Sequence, residues 1–582
     1  MLSISACKKD IKDVTDPNSY NSANFPQTPA QLKSVLGGIY AQLRDQSLWG
    51  TNLNAKMIFP MDHTIDLGYL GDAGWSQLCQ NSYANSSYAG SLWAGLYIGV
   101  QRANTFLASL DNYKKKYAAA AEATELSYEE GEARFLRALY YFYLVNIYGQ
   151  SNLQNGGSGD LLGVPLVTTV AASLQGSYVK QNTIRQVWDF IISELITADT
   201  KLQKHSWDAP NISRVPGWAP NALLGKAYLF SGDYANAKKV LKDVIDNSGH
   251  TLMSFDIYKN MFNGANKFNN ESFFEINNQL DVSGFGVYWG PNITSSAGLI
   301  YSPTLMNIND TTAVANGYGN EFLHDKNLAR FGFNLPIWNM TPNPNFNPGK
   351  PDGPYNVRNI CDPNYVSLSQ ALRSSQSVDP RLYVSALQPW VDTIATDSAS
   401  KSVRRVVLRA KEIPNNLKLQ YYGWSLRKYA PLEHNIINLK GSDLASFYIL
   451  RLADIYLLYA EACAQTSDDA TALEYVNKVH RRAYGYGPDA SSPLDYKSLS
   501  DATRANDPVL GNNPLRYERW AELFGEGGWW FDVVRWKIGD KEAAYYQKTI
   551  PGTINWTNTS YYFPIPTNEL NNNPSMKQNN GY

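Results

Sequence analysis

Residues 447–465, FYILRLADIYLLYAEACAQ, form the stretch of this chain whose pattern decides the fold. Apolar side chains occupy every side of a helical wheel of 3.6 residues per turn, and a helix that is apolar all round lies inside a protein. The stretch therefore predicts one buried helix. Its charged residues Arg451, Asp454 and Glu461 are spaced so that they form a single polar stripe along that helix.

Charged side chains inside a protein need partners of opposite charge or hydrogen-bonding groups, because they lose their hydration on burial. We expect neighbouring helices to enclose residues 447–465 and to supply those partners. The candidate partners are Arg481, Arg482, Arg519 and Arg535. This interpretation makes the stretch a scaffold element and not a catalytic one.

Helical spacing recurs through the first part of the chain. It predicts helices at residues 30–49, 88–110, 128–148 and 183–203. Residues 219–246 have the small and aromatic spacing of a tetratricopeptide helix pair, with Gly225 where two helices would cross and a turn at Gly232. A weaker copy starts inside the 447–465 helix. Because such pairs cannot bury their apolar faces alone, we expect the helices to stack into one array.

The helical pattern breaks down between about residues 252 and 442. Gly, Pro, Asn and Tyr accumulate there, and residues 272–276 and 402–408 are predicted to be short strands. Long irregular insertions are commonly functional, and the density of aromatic residues argues against disorder. We therefore predict a mainly α fold: a tetratricopeptide-like helical-repeat scaffold with a large insertion of loops and short strands that carries the ligand site. The predicted divisions are a tether at 1–29, helical scaffold at 30–251, ligand-facing lobe at 252–442 and helical scaffold at 443–582.

The composition limits the class of partner. The 582 residues include 51 Lys and Arg against 52 Asp and Glu, and charged residues make up 18% of the chain. This balance provides no general basic surface for nucleic acid. Aromatic residues reach 13%, so the surface suits uncharged, hydroxyl-rich partners better than ionic ones. No apolar run approaches the roughly 20 residues of a membrane-spanning helix.

The segment Ile4-Ser5-Ala6-Cys7 has the form of a bacterial lipobox, in which the cysteine becomes the acylated first residue. A polar stretch follows it and would act as a tether. The charged and apolar regions of a signal peptide do not precede the motif here, so we expect a truncated or a reassigned start. Acylation of Cys7 would anchor the protein to a membrane surface. The alternative interpretation is a stray cysteine in a disordered tail.

The remaining motifs give no cofactor or metal site. A disulfide between Cys79 and Cys361 stays open, whereas Cys463 lies in the 447–465 stretch and is expected to be inert packing. The pair Asp62-His63 lacks a third metal ligand nearby. The chain contains no phosphate-binding loop, dinucleotide fingerprint or nucleophile elbow. We predict no cofactor and no metal.

Several motifs stand in the order seen in the SusD/RagB family. They are GEARFLRALYYFYLVNIYG at 131–149 with GVPLV at 163–167, VDPRL at 378–382, RKY at 427–429, FYILRLADIYLLYAEA at 447–462 and LRYERWAELFGEGGWWFDVVRW at 515–536. The chain resembles that family over nearly its whole length. It departs from the pattern at Gly527-Gly528-Trp529-Trp530, where an Arg or Lys is common, and we expect a packing difference there.

The resemblance implies a role as well as a fold. Members of the SusD/RagB family are outer-membrane lipoproteins that face the exterior of the cell. They are not enzymes; they bind oligosaccharides, or peptides in some members, and act as a lid over a SusC-like TonB-dependent transporter. The resemblance therefore implies that this protein takes up nutrients and is anchored through Cys7.

Aromatic rings beside amides and carboxylates are the residues that sugar binding needs. The C–H face of a pyranose packs on an aromatic ring while its hydroxyls bond to polar side chains. Trp75 and Trp289 are the favoured candidates, because each lies in a polar loop beside glycine with no periodicity that would bury it. The other candidates are Tyr69, Asp66, Tyr288, Asn292, Trp338 and Asn339. By contrast, helical periodicity predicts core positions for Trp93, Trp188, Trp520 and Trp536.

Two other functions fit parts of the sequence. Glu518, Glu522 and Glu526 would share one helix face, near the carboxylate separation of retaining glycoside hydrolases. Neighbouring arginines, Arg516, Arg519 and Arg535, favour structural ion pairs instead, because they would keep these acids and Asp532 ionised. The other function is peptide binding, either in a helical groove or as a RagB-like importer. The sequence leaves the choice between glycan and peptide open and favours the glycan.

Overall fold

The structure is a computed structural model that describes residues 25–67, 73–84, 86–150, 152–154, 157–279, 297–301, 303–307, 313–315, 321–350, 358–395, 403–407, 409–412, 420–430, 444–547 and 554–582. Cys7, Tyr69, Tyr288, Trp289 and Asn292 lie outside these residues.

Helices account for most of the regular structure that is described. They are α1 (Pro29–Leu43), α2 (Ile58–Met61), α3 (Ala73–Cys79), α4 (Ser87–Lys116), α5 (Ala123–Tyr148), α6 (Ile184–Leu202), α7 (Ala219–Phe230), α8 (Tyr234–Asn247), α9 (Phe255–Tyr258), α10 (Ala297–Tyr301), α11 (Asp325–Arg330), α12 (Pro363–Ser374), α13 (Leu382–Ser385), α14 (Leu452–Gln465), α15 (Asp469–Ala483), α16 (Pro514–Glu522), α17 (Trp529–Arg535), α18 (Gly539–Tyr546) and α19 (Thr567–Asn572). The predicted mainly α fold class is confirmed.

The strands are short and form small antiparallel sheets. They are β1 (Ile65–Leu67), β2 (Ser272–Ile276), β3 (Thr304–Asn307), β4 (Ala313–Ala315), β5 (Glu321–Leu323), β6 (Met340–Pro342), β7 (Asn359–Cys361), β8 (Ala386–Leu387), β9 (Thr393–Ala395), β10 (Val403–Val407), β11 (Arg409–Glu412), β12 (Gln420–Gly423), β13 (Ser425–Leu426) and β14 (Phe447–Arg451). One sheet has four strands in the order β4-β3-β10-β9, and the others pair two strands each. The predicted strands at 272–276 and 402–408 are confirmed as β2 and β10.

Residues 447–465 form a strand followed by a helix, so the prediction of one continuous helix is wrong for the first five residues. Strand β14 pairs with β2, with Phe447 opposite Ile276 and Arg451 opposite Ser272. The helix α14 then begins at Leu452, whose N–H donates to the carbonyl of Glu271 at 2.8 Å. A short apolar run fits a buried strand as well as a buried helix, and here the partner strand decides. As predicted, α14 is buried along most of its length.

The predicted helices of the N-terminal half all form, with shifted ends. Helix α1 ends at Leu43 rather than near residue 49, while α4 runs on to Lys116. In the predicted pair of α7 and α8, a Cβ on Gly225 would lie 2.4 Å from Cδ2 of Leu241, so glycine is required for this close approach. Gly232 has a φ of +84° and makes the turn between the two helices.

A cluster of buried ion pairs joins the end of β14, helices α15 and α16, and the residue just before β2, and we call it the Glu522 network. Arg451 donates to Glu271 at 2.9 Å, to Glu522 at 2.7 Å and to Glu526 at 2.7 Å. Arg482 donates to Glu271 at 2.9 Å and also to Glu522. Burial alone would raise the pKa of Glu522, but Arg482 and Arg451 outweigh it and hold that pKa below its ordinary value.

A second chain of ion pairs neutralises Asp454 and Glu461, the other two charged residues of the polar stripe. Asp454 accepts from Arg519 at 3.1 Å, and Glu461 accepts from Arg535 at 2.6 Å. Asp532 joins these two arginines, at 2.8 Å from Arg519 and 2.7 Å from Arg535. The predicted roles of Arg519 and Arg535 are thus confirmed.

The other two predicted partners behave differently. Arg482 belongs to the Glu522 network and reaches the stripe through shared carboxylates. Arg481 pairs instead with Glu474 at 2.8 Å and Asp495 at 2.7 Å, so its predicted role is wrong.

Asp62, which the sequence placed beside His63 as an incomplete metal site, is a buried core residue. Its Oδ1 accepts from the backbone N–H of Trp530 at 2.6 Å, and His63 Nε2 lies 2.7 Å from Asn81 Oδ1. Burial raises the pKa of Asp62 to about 8 and lowers the pKa of His63 to about 4. Both groups are therefore uncharged near neutral pH. The described residues contain no group of three or more ligands that could hold a metal ion.

Two of the cysteine predictions are tested by the structure. Cys79 and Cys361 are buried, and no disulfide joins them within the described chain. Cys463 is buried in α14, as predicted.

The Glu522→Gln variant should have a lower free energy of unfolding than the wild type. The change keeps the shape of the side chain but leaves Arg451 and Arg482 with less compensating charge, and breaking a buried pair costs about 3–5 kcal/mol. The control is Asp246→Asn, which breaks an exposed i,i+4 pair with Lys242 and should cost less than about 1 kcal/mol. Urea denaturation followed by circular dichroism measures both. Equal losses in the two variants would contradict the role of the network.

Asp62→Asn should remove a pH dependence of stability. The unfolded chain loses the Asp62 proton near the ordinary pKa of 3.8, while the folded protein holds it to about 8. Stability contributed by this group is therefore fully present below pH 4 and is lost as the pH rises towards 8. We expect the variant to gain free energy of unfolding relative to the wild type between pH 5 and pH 8, measured by urea denaturation at each pH. A difference that stays constant over this range would contradict the assignment.

Candidate functional site

The structure places the predicted ligand residues in very different surroundings. Asp66 lies in β1, where it is opposite Phe322 of β5. Trp75 is buried, whereas Trp338 and Asn339 are exposed. The structure thus brings one of the predicted pairs of neighbours, Trp338 and Asn339, to the surface.

The expectation that Trp75 lies in an exposed loop is wrong. The residue sits on the short helix α3 and is 3% exposed. The ammonium of Lys56 lies 3.4 Å from the centre of its ring and covers one face, as in a cation–π contact. A helix of seven residues is too short to show a periodicity that distinguishes it from a loop.

Trp338 is the most exposed of the tryptophans that the structure describes, with 38% of its surface accessible. Trp93, Trp188 and Trp520 are buried, as their helical spacing predicts, and Trp536 is half-buried. Trp338 lies two residues before the start of β6, which pairs with β7. An exposed indole beside a small sheet can offer a flat apolar face to a ligand.

The backbone around Trp338 is fixed by two buried aromatic side chains. The carbonyl of Pro336 accepts a hydrogen bond from the Tyr365 hydroxyl at 2.6 Å. The next carbonyl, that of Ile337, accepts from the indole N–H of Trp424 at 2.8 Å. These bonds fix the backbone before Trp338, so that part of the loop does not have to be ordered when a ligand arrives.

Asn339, the residue after Trp338, bonds to Asp362, and these two residues supply the polar groups of the candidate site. The side-chain amide of Asn339 donates to Oδ2 of Asp362 at 3.1 Å, and the N–H of Asp362 donates to the carbonyl of Asn339 at 3.0 Å. Asp362 also caps α12, because its Oδ1 accepts from the N–H of Asn364 at 2.9 Å. We call Trp338, Asn339 and Asp362 the Trp338 platform. Sequence reasoning identified its first two residues and missed Asp362, which lies 23 positions further along the chain.

The platform has the chemistry that a sugar ring requires. An indole face packs against C–H groups, an amide offers both a donor and an acceptor, and a carboxylate accepts from hydroxyls. Both polar side chains are held by defined bonds, so they present their remaining hydrogen-bonding capacity in fixed directions.

The acids weighed for glycoside hydrolysis are buried and paired. Glu518 accepts from Arg381 at 2.6 and 3.0 Å and lies 2.8 Å from His480 Nδ1. Burial alone would raise the pKa of Glu518, but Arg381 and His480 hold it at about 2. Glu526 accepts from Lys428 at 2.7 Å. The predicted structural ion pairing is confirmed.

Two details of that prediction need correction. Helix α16 ends at Glu522, so Glu526 does not share a helix face with Glu518. Arg516 supplies none of these ion pairs; the partners come from distant motifs, Arg381 in VDPRL and Lys428 in RKY. A general acid needs an accessible proton and a raised pKa, and Glu518 has neither.

No helix in the described part of the chain combines the length and the apolar character that crossing a membrane requires.

Two family models match different parts of the chain. Residues 347–582 match the model of the SusD family, and residues 13–229 match the model described as starch-binding associating with outer membrane. Together the two matches take in most of the chain.

Curated relatives match over long alignments. A SusD-like protein, P25, from Formosa agariphila is 23% identical over 608 residues, which cover 100% of this chain and 98% of the relative. The starch-binding protein SusD of Bacteroides thetaiotaomicron is 24% identical and covers 78% of this chain and 73% of its own length.

Solved structures share the fold. A SusD-like protein from Bacteroides fragilis superposes with a TM-score of 0.69 at 20% identity, covering 96% of this chain and 98% of its own. The surface glycan-binding protein A from Bacteroides thetaiotaomicron, solved in complex with laminarihexaose, has a TM-score of 0.61 at 18% identity and covers 95% and 99% of the two chains.

The helical scaffold, the order of its motifs and the matches at both ends of the chain agree with one another, and the protein belongs to the SusD/RagB family.

Proposed function

We propose that this protein captures oligosaccharides at the cell surface and delivers them to a SusC-like TonB-dependent transporter, over which it acts as a lid. The observation that carries the proposal is the Trp338 platform. It combines an exposed indole with an amide and a carboxylate, and buried hydrogen bonds fix its backbone.

The relatives support a glycan as the ligand. One is named a starch-binding protein, and a solved structure of the same fold holds laminarihexaose. Both starch and laminarihexaose are neutral glucose polymers, so neutral glucans are the first ligands to test. The near balance of acidic and basic residues in the chain agrees with an uncharged ligand.

The expected affinity is modest. One ring and a few hydrogen bonds on an open surface leave little free energy after the loss of motional freedom, so we expect a dissociation constant on the order of micromolar or weaker. A transport protein that must release its cargo benefits from such an affinity, because weak complexes dissociate quickly.

The location follows from the same proposal. The family model that matches residues 13–229 is described as associating with the outer membrane. We propose that Cys7 carries the lipid anchor and that the glycan site faces the exterior. The transporter would then lie in the same membrane, within reach of a tethered protein.

We also propose that binding occurs without catalysis. The carboxylates nearest to hydrolase spacing, Glu518 and Glu522, are buried and paired with arginines. Residues so placed stabilise the scaffold and have no access to a glycosidic bond.

Trp338→Ala should weaken oligosaccharide binding by about tenfold or more, because the stacking face is lost. Titration calorimetry with malto- and laminari-oligosaccharides measures the change. The control is Tyr486→Ala, which removes another aromatic ring that is also 38% exposed. Trp338→Phe should recover part of the affinity.

Melting temperatures distinguish a loss of binding from a loss of folding in these variants. Both alanine variants should melt within a few degrees of the wild type, because neither ring is buried. Unchanged affinity in a folded Trp338→Ala protein would overturn the platform as the site, and equal losses in Trp338→Ala and Tyr486→Ala would do the same.

A further inference from the structure

A second cleft lies away from the Trp338 platform, where the end of α5 meets α6, α17 and the turn at Asn558–Tyr561. Its volume is about 400 Å³, within the range of roughly 300–1,000 Å³ that is typical of small-molecule sites. None of its lining residues belongs to the platform. The described part of its lining includes the aromatic residues Trp188, Tyr561 and Tyr562.

The rings of this cleft are held in place by neighbours. Trp188 packs edge-on against Phe142, with ring centres 5.6 Å apart. Tyr561 makes a similar contact with Trp556 at 5.1 Å. The hydroxyl of Tyr562 donates to the carbonyl of Asn580 at 3.0 Å. The apolar wall of the cleft is therefore ordered before any ligand binds.

Two nearly buried amides line the cleft, and each has its N–H already bonded. Asn146, 8% exposed, uses its amide N–H to donate to the carbonyl of Phe142 at 2.7 Å. Gln150, also 8% exposed, donates in the same way to Asn579 Oδ1 at 3.2 Å. Within the described chain, no donor reaches Asn146 Oδ1 or Gln150 Oε1. Both oxygens belong to residues that line the cleft.

A donor is available at the same place. Trp188 is only 3% exposed, yet its indole N–H makes no hydrogen bond to any residue that the structure describes. This N–H is not one of the fully buried polar atoms without a partner, so it is open to the cleft or to solvent. Two acceptors and one donor that share one cleft and lack protein partners indicate that a ligand or water supplies those bonds.

The charge of the lining narrows the class of ligand. Among the described residues that line the cleft there is no carboxylate, and Lys537 is the one basic residue. The cleft beside β2 differs, because Arg214 and Glu275 line it. Aromatic faces with amide acceptors and an indole donor match a ring that carries hydroxyls and no charge.

We infer that this cleft is a second carbohydrate site, which binds one neutral sugar unit independently of the Trp338 platform. The sugar ring packs against Tyr561 and Tyr562. Its hydroxyls donate to Asn146 Oδ1 and Gln150 Oε1 and accept from the Trp188 indole. A second site on a different part of the scaffold would let one protein hold a branched or long glycan at two points.

The test uses Trp338→Ala protein, because that background lacks the platform. Saturation-transfer NMR is recorded with methyl β-glucoside, methyl β-galactoside, methyl α-mannoside and methyl β-xyloside at millimolar concentrations. We expect at least one of these sugars to bind. Adding Asn146→Ala, which removes one acceptor and suits a helix, should weaken that binding about tenfold.

A second variant guards against a folding defect. Tyr562→Ala removes a half-buried ring, and melting temperatures show which double variants are folded. If none of the four sugars receives saturation from the protein in the Trp338→Ala background, the inference is overturned. Binding that is unchanged in both folded double variants would overturn it as well. Neither result bears on the Trp338 platform, which oligosaccharide binding by the wild type and its loss in Trp338→Ala test separately.

Discussion

The pairing of Glu522 with Arg451 and Arg482 is the interaction on which the rest of this structure depends. These residues come from α16, from the junction of β14 and α14, and from α15, and Glu271 beside β2 joins them. Four segments that are distant in sequence thus meet at one buried cluster. Because each charge is costly to bury alone, the segments are stable only together. The cluster therefore fixes the positions of the scaffold elements that support the loops.

The same constraint explains why the acidic helix is not a catalytic site. Its carboxylates face arginines and a histidine inside the core, and the pKa of Glu518 and of Glu522 is held below the ordinary value. The proposed ligand site lies instead on a surface that the scaffold supports. In the Trp338 platform the indole is exposed, while Tyr365 and Trp424 hold its backbone from within. Under the proposed function, a ligand would meet a loop that is already fixed to the core.

The sequence predicts correctly those helices and strands whose formation depends on residues close together in the chain. The long helices, the α7–α8 pair and strands β2 and β10 follow from periodicity and turn residues. Residues 447–451 were assigned to the wrong element because only pairing with β2 distinguishes strand from helix there. Trp75 was assigned to a loop because α3 is too short to show a period. The Arg381–Glu518 pair spans 137 positions, and no local sequence pattern predicts a partner at that distance.

The sequence does not predict the second cleft for a similar reason. Trp188 is correctly predicted to be buried, but its unbonded N–H becomes evident only when residues near 150 and 560 are brought together.

The central claim is that a neutral glycan is the ligand and that it leaves unchanged. Titration calorimetry of the protein without its acyl chains, against a panel of neutral oligosaccharides and a mixed peptide pool, tests this claim most directly. Each mixture is analysed afterwards for cleavage products. Our account predicts saturable heat with at least one neutral oligosaccharide and no products. Heat with peptides alone, or the appearance of shorter sugars, would contradict it.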